Sequence, residues 1–146
     1  VSTTFLVDNS VLQRLHRSDE VRAARDALIS AGELAVCLPT VLEACFSARN
    51  QDEHQQEADA FLSAWKVLEP VPDLTSLAVS LQGKLFAAGK GRSVGVSDLQ
   101  IAATALYYGS DAQPVVIVHY DADFDHLVSV EPALRTRWIV PRGTVA

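Results

Sequence analysis

The amino-acid sequence predicts an α/β protein, a three-layer α/β/α sandwich built on a mostly parallel sheet. Three observations carry this expectation. Val115-Val116-Ile117-Val118 is an uninterrupted β-branched run after Pro114, the pattern of a strand buried on both faces. Short apolar runs of this kind alternate along the chain with longer segments at helical spacing. Finally, the first such run and this late one both stop abruptly at acids: Asp8 in one case, Asp121, Asp123 and Asp125 in the other. Carboxylates placed there lie beyond the carboxyl ends of the strands, where open α/β sheets bind their ligands.

A chain of 146 residues fits a single domain, 1–146, with one substantial core. Its 49% apolar and 21% charged residues describe a globular protein rather than a disordered one. The formal charge of −6 argues against non-specific adhesion to nucleic acid or an anionic membrane, while leaving room for a local basic rim. Cys37 and Cys45 form neither a disulfide framework nor a CxxC metal spacing, and both read as reduced, buried thiols. No apolar run approaches the roughly 18–20 residues of a membrane span, and no signal segment precedes the first strand. A cytoplasmic protein without membrane contact is expected. The sequence holds no Met, so Val1 reads as a non-standard or trimmed start.

Thr3 to Val7 is β-rich, and Val11, Leu12 and Leu15 follow Asp8 at helical spacing. A second helix over Asp19–Ala31 carries Val21, Ala24, Leu28 and Ile29 on one face and stops at Gly32. Leu34 to Leu38 reads as a strand, and Pro39 suits the first turn of a helix from Thr40 to about Arg49. That helix holds one acid, Glu43, among apolar neighbours. Ala58, Phe61, Leu62 and Trp65 make Asp52–Lys66 amphipathic, and Val67-Leu68 is at best a short edge strand. Leu74, Leu77, Ala78, Leu81 and Leu85 predict a helix up to about Ala88, followed by a basic loop over 89–93. Ser97 is expected to cap a central, nearly all-apolar helix with Asp98 in its first turn. A short helix over Phe124–Val128 and a last strand over Arg137–Val140 complete the series.

This order predicts that Asp8, Asp98, Asp121 and Asp123 meet at one sheet edge, because right-handed crossovers make such strand ends neighbours. Glu43, one turn into its helix, reaches the same edge. Carboxylates packed so closely cannot all stay ionised unaided. Mg2+ or Mn2+ resolves the conflict, since both prefer carboxylate and water oxygens. A water made acidic by such an ion attacks a phosphodiester in line, with no Ser, Cys or His nucleophile. Each acid also has a plainer reading: Asp8 as a helix cap, Asp98 as a charge at a helix N-terminus, the Asp121–Asp125 group as a solvated loop. His119 and His126 lack transition-metal spacing. Lys90 and Arg92 either contact substrate phosphates or belong to a solvated loop. Arg14, Arg17, Arg22 and Arg25 form a basic cluster or a solvated helix face.

Phe5-Leu6-Val7-Asp8-Asn9-Ser10, Glu43, Val94 to Ala105 around Ser97-Asp98, and His119-Tyr120-Asp121-Ala122-Asp123-Phe124 together resemble a PIN-domain ribonuclease, in particular a VapC-type toxin of a toxin–antitoxin pair. The resemblance spans nearly the whole chain. It implies a PIN-like sandwich and a magnesium- or manganese-dependent endoribonuclease acting on structured tRNA or rRNA. It also implies metal ligation by Asp8, Glu43, Asp98 and Asp121 with Asp123 contributing, Ser10 near the substrate, a homodimer, and a cognate antitoxin that can place an Arg among the acids. Ser97 stands where the family often has Asn or Thr. A haloacid-dehalogenase-type phosphatase needs a second Asp at position 10, which is Ser, and a receiver domain needs a late-strand Lys. The alternative of another class is a non-catalytic PIN module that binds RNA or a protein. Loss of a core acid would favour it, and none is missing. The amphipathic helices over 52–66 and 73–88 are the expected partner surfaces.

Overall fold

Five parallel strands form the sheet of the computed structural model, which describes residues 2–146 and leaves Val1, with the reading placed on it, outside. The strands are β1 (Thr4–Val7), β2 (Glu33–Cys37), β3 (Lys66–Leu68), β4 (Val115–His119) and β5 (Arg135–Trp138). The helices are α1 (Asn9–Leu15), α2 (Asp19–Ala31), α3 (Leu38–Phe46), α4 (Gln51–Ala64), α5 (Leu74–Ala87), α6 (Val96–Tyr108) and α7 (Asp123–Val130). Strand order is β3-β2-β1-β4-β5. The chain winds outward from β1 to β3, crosses back to β4, then winds outward to β5. The winding reverses between β1 and β4, paired in register from Thr4–Val115 to Val7–Val118, and a crevice opens above their carboxyl ends.

The two-residue period of the strands decides the layers. Leu6, Ala35, Cys37 and Ile117 face one side, where Leu81, Leu85, Ile101, Phe124 and Leu127 cover them. Phe5, Val7 and Val118 face the other, against Val11, Val21 and Leu28 of α1 and α2. Val36 meets Cys45 and Phe61, which seats α3 and α4 beside them. Leu99 and every residue from Ile101 to Ala105 are buried, so α6 is the central helix its composition predicts. Both cysteines are free and buried, in separate clusters. Burial pushes the Cys37 thiol up to about 11, which makes it inert at neutral pH. Among the described residues, no helix is long and apolar enough to cross a membrane.

Several local expectations shift. Helix α6 is capped by Gly95, not Ser97, because Gly95 keeps extended backbone while Ser97 is already helical. Strand β5 starts at Arg135 rather than Arg137, since β4 pairs with it from Val116–Arg135 to His119–Trp138. Ile29 and Leu62, assigned to packed faces, are exposed. In each case only part of the apolar stripe meets the sheet, and Phe61 and Leu28 fill the available contact.

Gly32 ends α2 where the chain passes very close to β1. A Cβ there would stand 2.3 Å from the Thr3 carbonyl oxygen and 2.9 Å from Phe5 Cε2. Because the first obstacle is backbone, Gly32→Ala should destabilise by about 1–3 kcal/mol, the usual cost of overpacking. Thermal unfolding is the check, and an unchanged midpoint would mean that β1 can move aside freely.

Candidate active site

The site begins where β1 ends. Asp8 N–H continues the sheet by donating to Val118 O at 2.9 Å, and its carboxylate turns back as the cap of α1. Asp8 Oδ2 accepts from Ser10 N at 3.0 Å and from Ser10 Oγ at 2.6 Å. The same Ser10 oxygen accepts the Tyr120 N–H at 2.8 Å, tying the end of β1 to the end of β4. Asp8 is only 4% exposed. Burial raises its carboxyl above the usual range, against the Ser10 bonds that lower it, and the Asp121 charge adds to the rise. The cap role and a site role therefore coexist.

Ser10, expected near substrate, has its hydroxyl committed at both ends. Ser10→Ala should cost about 1–3 kcal/mol by stranding the Tyr120 amide, while Asp8 Oδ2 keeps only the Ser10 N–H. A loss of roughly tenfold in activity should accompany it, as for groups that orient a ligand from behind. Chemical denaturation and cleavage rates together test this, and full activity would show that Asp8 needs no such anchor.

Asp121 follows β4. Its Oδ1 accepts the Asp123 N–H at 2.9 Å, which starts α7, and its own N–H donates to His119 Nδ1 at 3.2 Å. Asp98 arrives from the first turn of α6. Carboxylate oxygens of Asp98, Asp121 and Asp123 all lie within 4.8 Å of one another. Burial and then the charges of Asp8, Asp121, Asp123 and Glu43 push the Asp98 carboxyl up to about 8. A helix N-terminus offers about 0.3–1 kcal/mol to an anion, less than the 1.36 kcal/mol of one pKa unit. It therefore cannot hold Asp98 ionised. Burial also raises Asp123, with Asp121 adding to it.

Glu43 stands outside this tight trio. Desolvation raises its carboxyl, opposed by Ser97, and the charges of Asp8 and Asp121 add to the rise. The apolar neighbours expected to enclose it do not, since Leu42 is 58% and Phe46 90% exposed. Helix α3 lies over the sheet through Cys45 and presents its other face to solvent. Glu43 thus reaches the acids from an open side.

His119 is fully buried, with Phe124 at 4.8 Å and Trp138 at 5.0 Å between ring centroids. Burial holds its pKa down to about 4, so the ring is neutral. Because Nδ1 accepts, the proton lies on Nε2, which has no hydrogen-bond partner among the described residues. His119 orients the Asp121 turn rather than joining the acids. Lys90 donates to Ser129 Oγ at 3.2 Å, near the far end of α7, which agrees with the solvated-loop alternative. Arg92 is exposed, and among the described residues no ion pair ties it to the acids. Arg22 and Arg25 pair with Asp19 and Asp26, the plain reading of a solvated helix face. Asp125 lies outside the trio and accepts from Trp138 Nε1 at 3.3 Å. Trp138, in register with His119 at the end of β5, was not among the expected site residues. Aromatic residues at the ends of β4 and β5 were the available signal.

Among the described residues, the six ion pairs engage none of Asp8, Glu43, Asp98, Asp121 and Asp123. Hard oxygen donors, closely spaced and in no ion pair, fit a divalent cation such as Mg2+ or Mn2+. Beside Glu43 and Asn9, a cleft of about 840 Å³ runs between α1, α3 and α4, with Leu12, Phe46, Phe61 and Trp65 along it.

A five-stranded parallel sheet with acids gathered at its switch point defines a class that sequence comparison identifies. Residues 5–129 match the PIN domain, and the chain belongs to the PIN domain family. Ribonuclease VapC51 of Mycobacterium tuberculosis is 39% identical over 141 residues, covering 97% of this chain and 96% of the relative. Ribonuclease VapC21 of the same species is 31% identical over 146 residues, covering 99% of each chain. The fold is shared with the solved VapBC-1 of nontypeable Haemophilus influenzae (TM-score 0.72, 15% identity, 93% of this chain and 98% of that one). It is also shared with VapBC2 of Rickettsia felis bound to a promoter DNA fragment (TM-score 0.70, 16% identity, 92% and 97%).

Proposed function

We propose that this protein is the endoribonuclease toxin of a toxin–antitoxin pair, hydrolysing a phosphodiester of structured RNA at the carboxylate cluster. The observation that carries the reading is the convergence of Asp98, Asp121 and Asp123, beside Asp8 and Glu43, with none of the five in an ion pair among the described residues. Full-length similarity to ribonucleases supports it.

Asp98, Asp121 and Asp123 would hold the divalent cation, Mg2+ or Mn2+, with Asp8 and Glu43 shaping the field around it. When bound, such a cation makes a water more acidic and offsets charge on the leaving oxygen. The chain itself supplies placement. Ser10 holds Asp8 at the end of β1, and His119 with the Asp123 amide holds Asp121 at the end of β4. Protonated near neutral pH, the Asp98 carboxyl gives up its proton as the site is loaded. Glu43, on the open side, is placed to accept a proton from an approaching water. Loops of tRNA or rRNA are the substrate class, since splayed single-stranded bases are what proteins read specifically in RNA.

The antitoxin partner fits the mixed polar and apolar cleft beside Glu43, from which an Arg could enter the acids and replace the cation's charge. A homodimer is the expected assembly. End-labelled total tRNA should yield a discrete product with magnesium or manganese, and none with chelator or with Asp98→Asn. No product from tRNA or from rRNA, with folded protein free of antitoxin, would overturn the enzymatic reading in favour of a binding module.

A further inference from the structure

A polyanion approaching these acids on a chain of charge −6 has to be met by cations not already neutralised within the protein. Of 12 Lys and Arg residues, Arg22, Arg25, Arg49, Lys66, Lys84 and Arg135 are engaged in ion pairs. Arg14, Arg17, Lys90, Arg92, Arg137 and Arg142 are in none of these pairs, and two of them, Arg14 and Arg142, lie against aromatic rings. The Arg14 guanidinium is 4.6 Å from the Tyr120 centroid and donates to the Ser10 carbonyl oxygen. Arg142 lies 5.9 Å over Trp138. Tyr120 and Trp138 meet edge to face at 5.4 Å, so the four residues form one strip.

The strip borders the acids. Trp138 ends β5 in register with His119, the last residue of β4, and Tyr120 and Asp121 follow His119. Because β4 lies between β1 and β5, the order along this edge is Asp8, Asp121, Trp138. Neighbouring strands are about 4.8 Å apart, so a nucleotide beside a phosphate held at the acids falls over the indole.

Trp138 is built as a platform. Asp125 holds its Nε1, and His119 supports one edge. Tyr120 Oη accepts from Gly143 N at 2.9 Å and Val145 N at 3.1 Å and donates to Val145 O at 2.8 Å, anchoring the segment that carries Arg142. An Arg at 5.9 Å is near the roughly 6 Å limit of a cation–π contact, worth about 0.5–1 kcal/mol at an exposed site. A stacked base is worth about 1–3 kcal/mol. The base wins, and Arg142 is released to a neighbouring phosphate. The Asp125 carboxylate opposes a phosphate directly beneath the ring, which favours a base there and leaves phosphate contacts to the arginines.

We infer that Trp138 and Arg142, flanked by Tyr120 and Arg14, form an RNA subsite in which a single-stranded nucleotide next to the scissile phosphate stacks on the indole. This rests on the ribonuclease reading and adds where its substrate lies.

Trp65→Phe leaves Trp138 as the sole tryptophan of the chain. With magnesium present, this variant is titrated with a cleavage-resistant phosphorothioate 12-mer of single-stranded RNA, and with heparin as a polyanion lacking bases. Saturable quenching by the RNA but not by heparin is expected. Trp138→Leu should weaken binding of labelled 12-mer about tenfold or more, within the range for one lost stack. Trp138→Tyr should restore most of it, and Arg142→Gln should lower the salt slope by about one. RNA binding and metal-dependent tRNA cleavage with unaltered Trp138 fluorescence would overturn the subsite and leave the ribonuclease standing. Neither binding nor cleavage would overturn both. Quenching by an Arg-bearing antitoxin peptide and not by RNA would reassign the strip to a protein contact. Because the titration leaves position 138 unchanged, it decides even if Trp138→Leu fails to fold.

Discussion

Asp98→Asn should abolish RNA cleavage, by roughly a hundredfold or more, and at the same time stabilise the metal-free protein at pH 8. The first effect follows from removing one of three converging carboxylates, and a hundredfold corresponds to about 2.7 kcal/mol of transition-state stabilisation. The second follows from the carboxyl's own titration. Asp98 has an ordinary value of 3.8 and stands near 8 in the fold, because burial and four neighbouring acids oppose its charge. Between those values the folded protein holds a proton that the unfolded chain has released, so stability falls as pH rises through the window. With chelator, the unfolding midpoint of the wild type should therefore decline from about pH 4 towards pH 8, and the Asn variant should lose most of that slope. A relief of roughly 2 kcal/mol would raise the midpoint by about 4–8 °C at pH 8. Added magnesium or manganese should stabilise the wild type more at pH 8 than at pH 5, since protons compete for the same oxygens. A pH-independent midpoint in chelator would sink this account, whatever the cleavage assay showed.

Phe124→Ala should be the more damaging change to the fold, costing about 3–5 kcal/mol as for other buried aromatics cut to Ala. Phe124 is fully buried in the cluster beneath α5 and α6 and lies 4.8 Å from His119. It is also the residue after Asp123, so the cavity would loosen the start of α7 and the ring that orients Asp121. Metal affinity should fall along with stability. Phe46→Ala makes the contrast, because a ring 90% exposed has little to lose. Urea unfolding of the pair tests this, and equal midpoints would contradict the burial on which the argument rests.

The acids were legible before the fold because each sits at a break in pattern. Asp8 and Asp121 end apolar runs, and Asp98 opens an otherwise apolar helix, so their meeting follows from parallel-sheet topology alone. Glu43 was placed on the right edge for an incomplete reason. Its apolar neighbours suggested enclosure, yet Leu42 and Phe46 face solvent, because a helix that packs by one stripe leaves its other apolar residues out. Lys90 was read by proximity in sequence to Asp98, and the loop between them carries its ammonium to the far end of α7. Ser10, a candidate substrate contact in the sequence, is also a strut in the fold, since its second partner, the Tyr120 amide, is 110 residues away.

The sequence by itself determined the layers, the parallel sheet and which carboxylates gather at its edge. All three follow from local rules: β-branched runs, helical periodicity, and a fixed hand of crossover. Only the tertiary structure decided how the acids divide into a tight trio with Asp8 and Glu43 outside it, which cations remain unpaired, and that Trp138 stands beside Asp121. Those facts depend on side chains brought together from strands and helices far apart in the chain, and on how much water each retains. Spacing along the sequence encodes neither.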